Sequence, residues 1–210
     1  MKGQEPLNPP AVILAGGLSR RMGHDKAGVM LGNRSLLDHV VARLLPQVSA
    51  IALNAHPDVH APHGLPVIAD VVAGHRGPLA GILTAMRHGA EQHAHASHVL
   101  TVPIDSPFLP HDLVTRLAEE AHANDAIAIA ASAGAMHPVC GLWPVSLADA
   151  LQAFLDGPDE PRVKTFLEGQ KTALVDFPLI ETAQGPLDPF LNLNTPDDLK
   201  SAETFLSEAG

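Results

Sequence analysis

Tyrosine is absent from the 210-residue chain, tryptophan occurs once, at Trp143, and cysteine once, at Cys140. A lone thiol cannot close an intramolecular disulfide, so nothing in the sequence marks an oxidising compartment. Cys140 lies in the apolar run from Pro138 to Trp143 and reads as a small buried hydrophobe, not a nucleophile. So few large aromatics leave little material for a base-stacking platform. Basic charge is also scarce: 13 Lys and Arg face 23 Asp and Glu, a formal net charge of -10. Long-range attraction to nucleic acid or to an anionic membrane is therefore not expected. Met1–Pro10 is polar and proline-rich with no apolar signal core, and no run reaches membrane-spanning length. The expectation is a cytoplasmic protein whose partners include no nucleic acid and no membrane.

What is present reads as one domain from Ala11 to Gly210, preceded by a flexible tail over residues 1–10. Ala11–Leu14 is a short apolar run entering Gly16-Gly17, as a buried parallel strand enters a loop. Helical periodicity follows from Ser35, a fitting N-cap, to Leu45, with Pro46 as its stop. Further strands are expected at 50–54, 66–69, 99–102, 126–131, 139–143 and 172–177. Helices are expected from Gly77-Pro78, over 110–122, 146–155 and 163–167, and after the cap Thr195. This alternation predicts an α/β fold, a mostly parallel sheet with helices on both faces. Ligands in such sheets bind beyond the carboxyl ends of strands. Two ends carry chemistry: Leu14 into the glycines, and Val102 into Asp105.

The run Leu14-Ala15-Gly16-Gly17-Leu18-Ser19-Arg20-Arg21-Met22-Gly23-His24-Asp25-Lys26 has what a triphosphate needs. Adjacent glycines let backbone N–H groups approach phosphate oxygens. Arg20 and Arg21 offer planar charged donors, and Lys26 a compact positive charge. The spacing is neither that of a Walker A loop nor of a dinucleotide-binding fingerprint.

From Leu14 to Lys26 the pattern Leu-Ala-Gly-Gly-x-Ser-x-Arg-Met-Gly-x-Asp-Lys resembles the signature of molybdenum cofactor guanylyltransferases, with no mismatch. The similarity continues through Asn54, Asp70, Gly77–Gly81, Asp105 and the Asn192–Pro196 segment. The resemblance implies a Rossmann-like nucleotidyltransferase that joins GMP from GTP to molybdopterin cofactor and releases pyrophosphate. It implies nucleotide binding by Leu14, Ala15, Gly16, Gly17, Lys26, Asn54, Asp70, Pro78, Leu79 and Gly81. Lys26 and Asp105 are the catalytic residues it implies, with Asp105 holding Mg2+, and Asn192 and Asn194 lie near the pterin. Arg20, as a planar cation in the loop, is expected to join Lys26 in neutralising the triphosphate and counts with them as catalytic. Relatives that use CTP tend to carry Leu-Ala-Ala-Gly in the first loop, so Gly16 favours GTP. Transient contact with receiving molybdoenzymes or their chaperones is a further expectation.

Each feature also has a plainer reading. Asp105 can cap a turn, Asn54 and Asp70 can be turn formers, and Asn194 can precede the Thr195 cap. Alternation would place Asn192 and Asn194 on one face of a short strand. The histidine clusters 56–63 and 93–98 lack cysteines or a His-Glu-x-x-His helix and read as exposed loops. His137 is a better place for a substrate contact. Arg162 and Lys164 read equally as a phosphate surface or a solvated face. Rivals to the guanylyltransferase reading are a cytidylyltransferase on the same pterin, a sugar-phosphate nucleotidyltransferase, and a non-catalytic cofactor chaperone.

Overall fold

The computed structural model describes residues 8–15, 28–59, 61–72 and 77–206. Its centre is β1 (Ala11–Leu14), four buried residues that pair in parallel with β4 (Ile51–Asn54) and with β6 (His98–Pro103). A strand buried on both faces must be apolar throughout, as this one is. Val12 and Leu14 point into one layer, Ala11 and Ile13 into the other, as a two-residue period requires. Full burial of a side chain such as Ile13 contributes about 1.5–3 kcal/mol.

The seven-stranded sheet has the order β5-β4-β1-β6-β8-β7-β9. Here β5 is Val67–Ile68, β7 Ile127–Ser132, β8 Ala135–Pro144 and β9 Thr172–Phe177. Only β8 runs against its neighbours β6 and β7. It returns from β7 through Ala133-Gly134, both at positive φ (47° and 77°), a tight hairpin turn. The sequence placed the start of this strand near Val139; the ladder begins at Ala135 because the turn takes two residues.

Helices cover both faces, as expected. On one lie α1 (Leu36–Leu44) and α3 (Leu113–Asn124), packed on Ile13, Leu53, Val102 and Ala128. On the other lie α2 (Pro78–Gln92), α4 (Ala148–Leu155) and α5 (Val163–Glu168), packed on Val12, Leu14, Ile129 and Trp143. Ser35 caps α1 reciprocally: its Oγ accepts from Asp38 N–H and its own N–H donates to Asp38 Oδ2, each at 3.1 Å. Thr195 and Asp198 repeat the device at α6 (Pro196–Glu203). α3 starts at Leu113, not Pro110, and the chain before α4 forms a 3-10 turn over Val145–Leu147.

Two hairpins escaped the sequence reading, β2 (Met30–Leu31) with β3 (Arg34–Ser35), and β10 (Ile180–Thr182) with β11 (Gly185–Leu187). Strands of two or three residues are too short to show a period. Together with Phe108 and Leu193 they bury Leu31, Leu36, Leu187 and Ala202 in a third, smaller cluster. Pro9 and Pro10, assigned to the tail, are buried, and their carbonyls accept from Ser49 N–H and Leu100 N–H. Residues 1–7 of that tail lie outside the described residues.

Candidate active site

The carboxyl ends of β1, β4 and β6 lie side by side, since all three are parallel. Ala15 N–H donates to Asn54 O at 2.9 Å, and Ile104 N–H donates to Leu14 O at 3.1 Å. The exit of β1 is thus clamped where the glycine-rich run departs. Gly16, Gly17, Arg20 and Lys26 lie outside the described residues.

On the β4 side, Asn54 is 2% exposed, and its Nδ2 donates to Ile68 O (3.1 Å) and Asp70 Oδ1 (2.9 Å). Thr84, buried in α2, accepts from Val71 N–H at 3.0 Å while donating to Ala80 O. Asp70 is exposed and tethered from both sides. Gly81 lets α2 approach: a Cβ there would stand 2.7 Å from Asn54 Oδ1 and 3.1 Å from Leu14 Cδ2. Leu79 is fully buried, and Pro78 occupies the first turn of α2, after Gly77 at φ 65°. The structure therefore gathers Leu14, Ala15, Asn54, Asp70, Pro78, Leu79 and Gly81 around one corner. Thr84 went unnoticed in the sequence, although a hydroxyl among Ile82, Leu83 and Met86 was the available signal.

On the β6 side, Asp105 is 9% exposed, and its carbonyl accepts from Leu193 N–H at 2.9 Å. Ser106 Oγ donates to Asn192 Oδ1 at 2.9 Å. No strand forms over residues 190–194, contrary to expectation, because this segment bonds to the loop after β6 and to its own cap instead. The alternation survives: Leu193 is buried between the exposed Asn192 and Asn194. Both asparagines line a cavity of about 290 Å3 with Asp105, Ser106, His137 and Cys140.

Prolines open that cavity. β6 and β8 pair only as far as Thr101 opposite Gly141, and the residues beyond include Pro103 and Pro138, which have no N–H for a ladder. The β7–β8 register slips at the same level: Ile129 faces Gly141, yet Ala131 faces Met136. Residues 137–140 bulge outward as a result and become cavity wall. Thr101 fixes the base of the bulge, donating to Val139 O (2.7 Å) and accepting from Trp143 Nε1 (2.9 Å).

His137 stacks on Phe190 with ring centroids 4.7 Å apart. Ser132 Oγ lies 2.6 Å from His137 Nε2 and donates to Asp188 Oδ1 at 2.7 Å. Neither Ser132 nor Asp188 was singled out in the sequence, since their partner is brought close only by the hairpin and the C-terminal crossing. Burial lowers the His137 pKa, with Asp188 opposing. Burial, followed by the charges of Asp105 and Asp188, raises Cys140 well above the ordinary thiol range, so it stays a protonated thiol. Arg162 pairs with Glu160 at 3.3 Å on the surface, and neither Arg162 nor Lys164 lines the cavity. Among the described residues no group of three or more His, Cys, Asp or Glu could hold a metal, and no helix is long and apolar enough to cross a membrane.

Comparison with known proteins decides the family. The family described as MobA-like NTP transferase domain matches residues 11–176. A molybdenum cofactor guanylyltransferase of Rhizobium meliloti is 54% identical over 94% of this chain and 92% of its own. One of Rhizobium rhizogenes is 52% identical over 97% and 94%. The chain belongs to the molybdenum cofactor guanylyltransferase family. It is accordingly an enzyme of the nucleotidyltransferase class. Among solved structures, the molybdopterin-guanine dinucleotide biosynthesis protein A of Archaeoglobus fulgidus superposes with a TM-score of 0.70 at 24% identity, over 95% of this chain and 99% of its own. A 4-diphosphocytidyl-2C-methyl-D-erythritol synthase from Anaerococcus prevotii gives 0.72 at 12% identity, over 97% and 98%. At these identities the two likenesses establish the fold alone, one shared with nucleotidyltransferases.

Proposed function

We propose that this enzyme transfers GMP from GTP to molybdenum-loaded molybdopterin and releases pyrophosphate, working in the cytoplasm. The observation that carries the reading is the position of Asp105. It lies two residues past Pro103, the β6 partner of Leu14, and so stands between the β1 exit and the 290 Å3 cavity. A nucleotidyl transfer needs one anionic anchor between a nucleotide and its acceptor, with little covalent chemistry from the protein.

The nucleotide lies across Leu14 to Lys26, its phosphates met by the backbone N–H groups of Gly16 and Gly17. Lys26 and Arg20 neutralise the triphosphate. Pro78, Leu79 and Gly81 flank the base with backbone. Asn54 has both amide hydrogens engaged, so it contributes by holding the carboxylate of Asp70 in place for the nucleotide. The acceptor occupies the cavity between Asn192 and Asn194, and its terminal phosphate oxygen attacks the α-phosphorus in line as pyrophosphate leaves.

Mg2+ fits this donor set. It takes one or two carboxylates and completes its octahedron with phosphate oxygens and water, so Asp105 alone suffices without a protein cage. Bound there, it supplies charge neutralisation at the reacting phosphates. Delivery of product would involve transient contact with molybdoenzymes or their chaperones.

The test is pyrophosphate release by purified enzyme with Mg2+ and molybdenum-loaded molybdopterin, comparing GTP with CTP and omitting the pterin as control. Release with GTP that requires the pterin is expected. Preference for CTP overturns the base assignment, and binding of GTP without any release points to a cofactor chaperone.

A further inference from the structure

The wall of the acceptor cavity contains a histidine whose protonation is set from behind. Ser132 has one hydroxyl proton, and Asp188 Oδ1, which also accepts from Phe190 N–H at 2.9 Å, receives it. The 2.6 Å contact between Ser132 Oγ and His137 Nε2 must then be a donation from the imidazole. Nε2 carries the proton, and in the neutral ring Nδ1 is left with a lone pair. Among the described residues Nδ1 makes no hydrogen bond, yet no buried side-chain nitrogen or oxygen lacks a partner. Nδ1 is therefore open to solvent, and His137 is part of the cavity wall. Burial favours the neutral ring, and stacking on Phe190 fixes its plane.

The order of the three groups also excludes a hydrolase triad. Ser132 stands in the middle, fully buried, with its proton turned to the carboxylate, so it cannot attack a substrate.

We propose that His137 Nδ1 is a specificity determinant of the acceptor cavity, accepting a hydrogen bond from a ring N–H or amino group of a flat nitrogen heterocycle. The inference rests on the reading of this cavity as the acceptor's site. Asp105 and the two asparagines supply polar atoms along the same cavity, whereas Met136, Pro138, Val139 and Phe190 give it apolar wall. A planar ring bearing donors matches that mixture, and a sugar phosphate, with hydroxyls all round and a phosphate but no flat apolar face, does not.

The test separates the two ring nitrogens in the full-length enzyme. His137→Asn keeps an acceptor near the place of Nδ1, and His137→Gln keeps a group near Nε2. Loss of one neutral hydrogen bond should raise the acceptor KM about tenfold in His137→Gln. His137→Asn should stay within about threefold of wild type, with GTP KM and kcat little changed in both. Equal losses in the two variants, or none, overturn the proposal. A second measurement needs no turnover: imidazole 15N resonances of the wild-type protein, titrated with plain pterin. An unprotonated Nδ1 that shifts on adding pterin is expected, and a protonated or unresponsive Nδ1 contradicts the proposal. If Nδ1 responds to pterin while GTP is not consumed, the transferase reading fails and the pterin subsite stands. Turnover with an unresponsive Nδ1 sinks the subsite alone.

Discussion

On the β4 side of Asp105, Asn54 gives both amide hydrogens to Ile68 and Asp70, and Gly81 closes the gap to 2.7 Å from a would-be Cβ. On the β8 side, Asn192, Asn194 and His137 surround a cavity of about 290 Å3. The first corner is packed like a core and presents one exposed carboxylate. The second is held open by Pro103 and Pro138, which stop a ladder from closing over it. On the proposed reading, the first corner meets a nucleotide by backbone and needs close approach, whereas the second takes an acceptor ring and needs volume. The difference teaches where tolerance to substitution should lie: a single methyl group disturbs the packed corner, and only loss of a polar atom disturbs the open one.

Kinetics can break this comparison. Gly81→Ala should destabilise the fold by about 1–3 kcal/mol through overpacking against Asn54 and Leu14, and should raise the GTP KM by displacing Asp70. Asn192→Ala should raise the acceptor KM about tenfold while leaving the GTP KM little changed, at a stability cost of about 1–3 kcal/mol from the buried Ser106 hydroxyl it leaves without an acceptor. Thermal unfolding and steady-state kinetics on both variants check this, and an acceptor defect in Gly81→Ala would merge the two sides.

A smaller effect comes with acid. Burial holds His98, His137 and His88 below the ordinary histidine pKa. Each is protonated more readily in the unfolded chain, so stability is fully present above the unfolded value of about 6.5 and falls as pH drops through the folded values. His137 ties this to the open corner: its protonation removes the Nδ1 acceptor, so acceptor KM should rise in the same window while GTP KM stays flat. Unfolding midpoints and both KM values measured from pH 7.5 to about 5.5 test the sign. Stability that grows on acidification would contradict it.

Much of the fold was legible because its signals are local. A four-residue apolar run, Ser35 three residues before Asp38, and Pro78 after Gly77 each announce an element within one turn of chain. Asp105 and Asp70 were legible for the same reason, as polar residues just past apolar strands. The β2–β3 and β10–β11 hairpins were not, because their strands are shorter than any period. Nor was the His137–Ser132–Asp188 line, whose two ends lie 51 residues apart and meet only through the sheet. Asn192 and Asn194 came out on one side as alternation requires, but through loop bonds to residues 105 and 106 and not in a strand.

The most direct test of a single carboxylate between two sites uses Asp105→Asn, which keeps the side chain's size and removes its charge. Wild type and variant are given GTP, Mg2+ and molybdenum-loaded molybdopterin, and product is weighed by mass spectrometry while pterin and GTP binding are measured separately. The account predicts a guanylylated pterin from wild type, and a rate at least about 100-fold lower from the variant with pterin binding retained. Comparable product from both enzymes would contradict it.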